Sequence, residues 1–272
     1  MAYVLTAALH TWFSGAATLR AMETTVADKV GDVLNNVQKQ TYSLIAGEFP
    51  KFIPVTFFEA TKTRNVVFEE EMIDAISESR QYYFRGVTAR HVPIWLERAN
   101  TKELQVSVFV LDPNCNDYLE LYIREKHDES NNLSSEQILT EIEKVQRQIY
   151  YSLVGLFDAR KLHPITIKLH RGPIFFRSEV FDKKCFVSLY VDAIGTNYPT
   201  TYLYNERSVF YQTFRKDITH CQQLASPSIS LTSGTNEEEL IGFLTKIGFS
   251  GSIEELRQEF IGFKEAFSQT SG

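Results

Sequence analysis

Cysteine is scarce in this 272-residue chain: there are three, Cys115, Cys185 and Cys221, set far apart. That number and spacing suit neither a disulfide framework nor a thiolate metal site, which points to a reducing, cytoplasmic setting with no metal. Basic charge is not in excess either. Lys and Arg number 28 against 34 Asp and Glu, a net charge of −6, which disfavours a general nucleic-acid coat but leaves room for a local basic pocket. The opening stretch MAYVLTAALHTWFSGAATLR has no basic start and is interrupted by His10, Thr11 and Ser14, so neither a signal peptide nor a membrane span is expected there. The HExxH, GxSxG, P-loop and paired CxxC patterns are missing, and with them the signatures of several hydrolase and nucleotidase classes. No cofactor is implied.

Apolar residues make up 43% of the chain, and 20 Phe with 13 Tyr supply ring surface for a substantial core. Residues 1–50 read as a helical arm. Val26, Val30, Val33 and Val37, joined by Leu34, form a stripe suited to packing on the main domain or a second subunit. The prolines of FPKFIP close that arm, and residues 51–225 read as one α/β domain. In it LQVSVFVLDP is an apolar strand covered on both faces. Residues 114–126 are a helix with Tyr118, Leu121 and Tyr122 inward and Leu119 at the edge. A long helix over 135–158 is capped at Ser134 or Ser135, with Ile138, Ile142, Val145, Ile149, Leu153 and Leu156 inward. Residues 226–236, SPSISLTSGTN, read as a linker, and 237–272 as a small helical tail that docks on the body or on a partner.

The stretch GPIFFRSEVFDKKCFVSLYV reads as a hairpin. Period two puts Ile174, Phe176, Ser178 and Val180 on one side and Phe175, Arg177, Glu179 and Phe181 on the other, with a turn at Asp182-Lys183-Lys184. Arg177 and Glu179 then share a face about 7 Å apart, as a structural ion pair or as an anion contact with its supporting carboxylate. Asp112 and Asn114 flank Pro113 past a strand end, where ligands of open α/β sheets gather and where turn and cap chemistry serves equally. Arg124 lies one helix further on. FRGVTARH offers Arg85, Arg90 and His91 near the Gly86 amide, as solvated loop charges or as a second anion cradle. His163 and His170 are more than about 20 Å apart on an extended strand and cannot share a metal. His170 can edge a pocket.

The order of elements over about residues 70–225 resembles one half of the phospholipase D/nuclease superfamily. The resemblance rests on ISESRQYYFRGVTA, ERANTKELQVSVFVLDPN, IKLHRGPIFFRSEVFDKKCFVSLYV and VFYQTFRKDITHCQQLA. It implies a mixed sheet flanked by helices, with dimeric pairing of halves. Setting the family's turn aspartate at Asp182 puts Phe175 at the nucleophilic histidine and Arg177 at the lysine. A benzyl group has no lone pair to form a phosphoryl intermediate, whereas arginine can grip phosphate with its fork. The resemblance therefore implies a degenerate, non-catalytic member that senses an anionic, possibly nucleotide, ligand and acts on a protein partner. Its ligand residues would be Arg177, Glu179, Asp112, Asn114, Arg85, Arg124 and His170. Two other readings stand beside it: a hydrolase cleaving a nucleotide or N-glycosidic bond through Glu179, and a structural subunit of a bacterial defence complex.

Overall fold

The computed structural model describes residues 29, 32–33, 36–41, 47, 49–61, 65–101, 103–126, 133–172, 174–190, 199–224 and 226–269. The chain divides into two units, Met1–Phe52 and Ile53–Gly272. In the first, residues 32–33 and 36–41 are helical with Val33 and Val37 exposed, and a 3-10 turn forms at Phe49–Lys51. Val26, Val30 and Leu34 of the valine stripe lie outside the described residues.

The second unit carries the strands β1 (Thr56–Phe58), β2 (Gln81–Gly86), β3 (Gln105–Leu111), β4 (Ile165–His170), β5 (Phe176–Phe181), β6 (Lys184–Leu189), β7 (Thr201–Asn205) and β8 (Ser228–Leu231). Its helices are α1 (Val66–Ser77), α2 (Val92–Arg98), α3 (Asn116–Lys126), α4 (Ser135–Ala159), α5 (Val209–Gln223), α6 (Glu237–Lys246) and α7 (Ile253–Gln269). The strands form one mixed sheet in the order β1-β7-β6-β5-β2-β3-β4-β8. Strands β2, β3 and β4 run parallel, and the remaining pairings are antiparallel. An α/β protein with helices flanking a mixed sheet is what the apolar β3 run required. It sits between β2 and β4 and is buried from Val108 to Leu111.

Alternation along the strands sorts the core onto two faces. Phe84, Val108, Phe181 and Phe186 pack with Phe68 and Met72 of α1, Trp95 of α2 and the Ile149 side of α4. Phe109, Val180, Cys185 and Val187 meet Tyr211, Ile218 and Cys221 of α5. The Tyr211 hydroxyl donates to the Phe181 and Asp182 carbonyls at 2.9 and 2.6 Å, fastening α5 to the hairpin turn. Helix α4 opens on a reciprocal cap: Ser134 Oγ accepts from the Gln137 N–H, and Gln137 Oε1 accepts from the Ser134 N–H. All six residues of its expected inner stripe are buried.

Two sequence expectations change. Leu119 and Ile123 are the buried residues of α3, while Leu121 is exposed. The turn at Asp112–Cys115, closed by the Cys115 N–H on the Asp112 carbonyl, starts the helix and sets its rotational phase. Residues 226–236 are not a linker throughout, because Ser228–Leu231 pairs antiparallel with β4 as the sheet's last strand. The tail belongs to the same unit: Leu240, Phe243, Leu256 and Phe260 enter the core beside α4. Among the described residues, no helix is long and apolar enough to cross a membrane.

Candidate functional site

Strand β5 presents Arg177 and Glu179 on the face covered by α1 and α2. Glu179 is fully buried opposite Phe84 of β2 and Phe186 of β6. Its Oε2 accepts a 2.6 Å hydrogen bond from the Tyr82 hydroxyl, and its Oε1 lies 3.1 Å from Arg177 Nε. Those two atoms are sealed from solvent, and their angle falls short of a hydrogen bond, so the pair is electrostatic. The Tyr82 ring is stacked on Phe181 with centroids 4.8 Å apart, which fixes the hydroxyl's aim.

The Arg177 guanidinium rests against two aromatic rings, 5.7 Å from Phe68 and 5.8 Å from Trp95. These distances are at the outer reach of a cation–π contact. Its side chain is 12% exposed, and that exposure opens on a narrow cleft of about 10 Å³, the room of about one water. Phe58, Phe68 and Pro199 supply the apolar wall of the cleft, and Glu59, Asn65 and Thr201 the polar one. Burial pushes the Glu179 carboxyl above the usual range, while Arg177 and the Tyr82 hydroxyl pull it back. Burial, then the charge of Glu179, raises the Tyr82 phenol well above its ordinary value. Glu179 thus anchors and aims the guanidinium from behind and does not line the cleft.

The other nominated residues lie elsewhere. Arg85 projects to the opposite face of the sheet, where its Nη1 meets Asp217 Oδ2 at 3.1 Å and its guanidinium lies over Phe176. Asp112 is buried and occupied: Oδ1 accepts from the Asn114 backbone and side chain, and Oδ2 from Arg171 Nε at 2.9 Å. Asn114 also donates from Nδ2 to the Ile247 carbonyl at 3.0 Å, tying the strand end to the tail. Arg124 pairs with Glu120 on an exposed face. His170 is buried and bonds to the Gly86 backbone, and its Nε2 meets no described partner. Burial first, then the Arg85 charge, lowers its pKa to about 4. The amide after Gly86 is taken by the Tyr190 hydroxyl. His127–Glu129 lie outside the described residues. Among the described residues no group of three or more His, Cys, Asp or Glu is placed to hold a metal.

No family model and no curated protein matches the chain. Among solved structures, that of TrmBL2, an archaeal chromatin protein described with a novel mode of DNA binding, aligns at 10% identity. The alignment covers 75% of this chain and 67% of that one with a TM-score of 0.34, a likeness too low to carry an argument. The site is therefore read from its own chemistry.

That chemistry offers charge and hydrogen-bond donors without a nucleophile. Phe175, two residues before Arg177, is half exposed. Burial pushes the Cys185 thiol up to about 12, so it holds no thiolate at neutral pH. Sequence spacing alone missed Phe68, Trp95 and Asn65, which reach Arg177 or its cleft, and Tyr82, which holds Glu179 behind it.

Proposed function

We propose that the chain is a non-catalytic, phospholipase D-like binding protein of the cytoplasm. Its Arg177 cleft senses an anionic ligand, and occupancy is passed to a protein partner. The single observation that carries this reading is the guanidinium itself. It is braced from behind by a buried carboxylate, flanked by two rings and open on a cleft, with a phenylalanine where the superfamily keeps its nucleophile. A stable ion pair for packing alone has no need of an opening. The succession from β2 through the β5–β6 hairpin to α5 follows the order of elements on which the superfamily resemblance rests.

A route outward supports the regulatory half. Trp95, against Arg177, is stacked on His91 at 5.6 Å. The His91 ring lies 5.2 and 5.0 Å from Phe263 and Phe267 of α7. Arg90 sits over Phe263 at 5.0 Å, and Lys264 pairs with Glu97 of α2. A guanidinium that shifts on binding therefore presses on the tail helix through two side chains.

The test is thermal unfolding of the intact chain with inorganic phosphate and 5′-nucleotides. A ligand at one hundred times its Kd stabilises by about 2.7 kcal/mol, a rise of roughly 5–10 °C for a unit of this size. Arg177→Lys keeps the cation but loses the fork and should abolish most of the rise. No shift with any anion at millimolar concentration, or hydrolysis of bis(p-nitrophenyl) phosphate by the pure protein, overturns the reading.

A further inference from the structure

We propose that two copies of this chain join edge to edge through β1, antiparallel about a two-fold axis at Phe57, so that their sheets run on into one another. The surface is independent of the Arg177 reading. Among the described residues β1 pairs only with β7 and stands first in the sheet order. Its outer side therefore presents backbone N–H and C=O groups, a template on which a further strand can add. Edge strands are commonly blunted by charge, but residues 55–58, VTFF, carry none. Phe58 is buried in the core against Phe68 and Phe186. Alternation turns Phe57 to the opposite face, beside Tyr202 of β7, where it is 54% exposed. Phe210 of α5, packed on Tyr204 two residues along β7, is exposed on the same face.

Three features make the occupant a second copy. Pairing centred on Phe57, the middle residue of β1, sets ring against ring on one face and Thr56 against Phe58 on the other, and aromatic pairs are favourable across strands. Charge is the second feature. Each chain carries −6, so two copies repel except where the meeting strip is uncharged. Closure is the third. The opposite edge, β8, exposes Ser228 and Ser230 and offers Phe57 no apolar match. Pairing of β1 on β8 would also run head to tail without closing, whereas β1 on β1 stops at two. Pro54 has no N–H to donate and ends the ladder. The contact is thus three residues a side, well short of the roughly 800 Å² per partner of a standard stable interface. The dimer is reversible, with a Kd of about 10–100 µM.

The experiment is sedimentation equilibrium of the intact chain from about 1 to 300 µM. The mass should rise from 31.3 kDa toward twice that value and stop there. Added salt should tighten the association, because it screens two like-charged chains that meet at an uncharged strip. Phe57→Lys and Phe57→Glu should each weaken it by about tenfold or more, and their equimolar mixture should restore it as a heterodimer. Neither should lower the melting temperature of the dilute chain, since the ring is exposed there. Phe57→Cys sets two thiols across the axis with Cα atoms about 4.5–5.5 Å apart, within disulfide reach. Mild oxidation should link that variant, and should link neither the wild type nor Ser230→Cys on the far edge. A mass of 31.3 kDa at every concentration, with no linked Phe57→Cys dimer, overturns the proposal. So does a fall in melting temperature for dilute Phe57→Lys, which would mean that the chain itself covers this edge. Growth beyond two copies, or linkage through Ser230→Cys, replaces the two-fold pair with an open β1-to-β8 array. Dissociation by salt overturns the uncharged contact.

Discussion

Three glycines inside helices provide a sharp test of the packing, because the same added methyl should act with opposite sign. A Cβ on Gly155 of α4 would lie 2.6, 2.7 and 2.8 Å from three ring atoms of Phe260 on α7. Comfortable carbon–carbon separation is about 3.5–4.0 Å, so the ring must retreat by about 1 Å. Phe260 is 4% exposed with fully buried Leu256 one turn away, and Arg147 holds Glu259 and Glu255 across the same seam. Such overpacking costs about 1–3 kcal/mol, offset by about 1 kcal/mol of helix propensity, for a net loss of up to about 2 kcal/mol. Gly242 in α6 and Gly262 in α7 have open space where a Cβ would go. Alanine there should stabilise by about 0.5–1 kcal/mol each. Urea denaturation of Gly155→Ala, Gly242→Ala and Gly262→Ala at constant m-value reads the signs directly. If Gly155→Ala stabilised the protein as Gly242→Ala and Gly262→Ala should, the close α4–α7 seam would be refuted. A loss at Gly262 would mean that this helix face is covered.

Two further outcomes follow from buried groups. His170 has a folded pKa of about 4 against an ordinary 6.5, so the unfolded chain binds the extra proton first. Its contribution is present above about pH 6.5 and is lost as pH falls toward 4, to a total of about 3 kcal/mol. His170→Gln should flatten that part of the stability profile between pH 7 and 4.5, and an unchanged slope would show that His170 titrates normally. Gly248 adopts φ +94°, and a Cβ there would meet Asn114 Oδ1 at 2.9 Å. Gly248→Ala should cost about 1–3 kcal/mol, measured by thermal melting, and a neutral result would mean that this turn is not held as described.

Much of this fold was written in periodicity. The α4 stripe and its Ser134 cap, the buried β3 run and the facing of Arg177 with Glu179 are all local patterns, and local patterns survive without a partner strand in view. Strand β8 was misread because two of its four residues are serine and it lies within a stretch rich in Ser, Thr, Gly and Pro. Yet Ile229 and Leu231 alternate as an edge strand requires, so a weak signal was present. Residues that meet across elements gave no such signal. Tyr82 lies 97 positions from Glu179, and no spacing rule connects them before the register of β2 on β5 is known. The same register explains Arg85. It stands opposite Ser178, not Glu179, and so faces the other side of the sheet. Asp112 and Asn114 were ambiguous between ligand contact and turn, and their bonds to Arg171 and Ile247 now occupy them.

The hook from Asn114 to Ile247 bears on how the protein is made. Synthesis releases the chain from its N-terminal end. The strand that finishes the β4 edge, and helices α6 and α7 that join α2 and α3 in packing on α4, come after residue 226. A nascent chain that has already laid down seven strands must therefore wait, with the Tyr151 and Gly155 side of α4 uncovered, until Phe260 and Phe263 have emerged. Over that interval the growing polypeptide offers chaperones a large oily surface, and pausing late in translation should be more hazardous for it than pausing early.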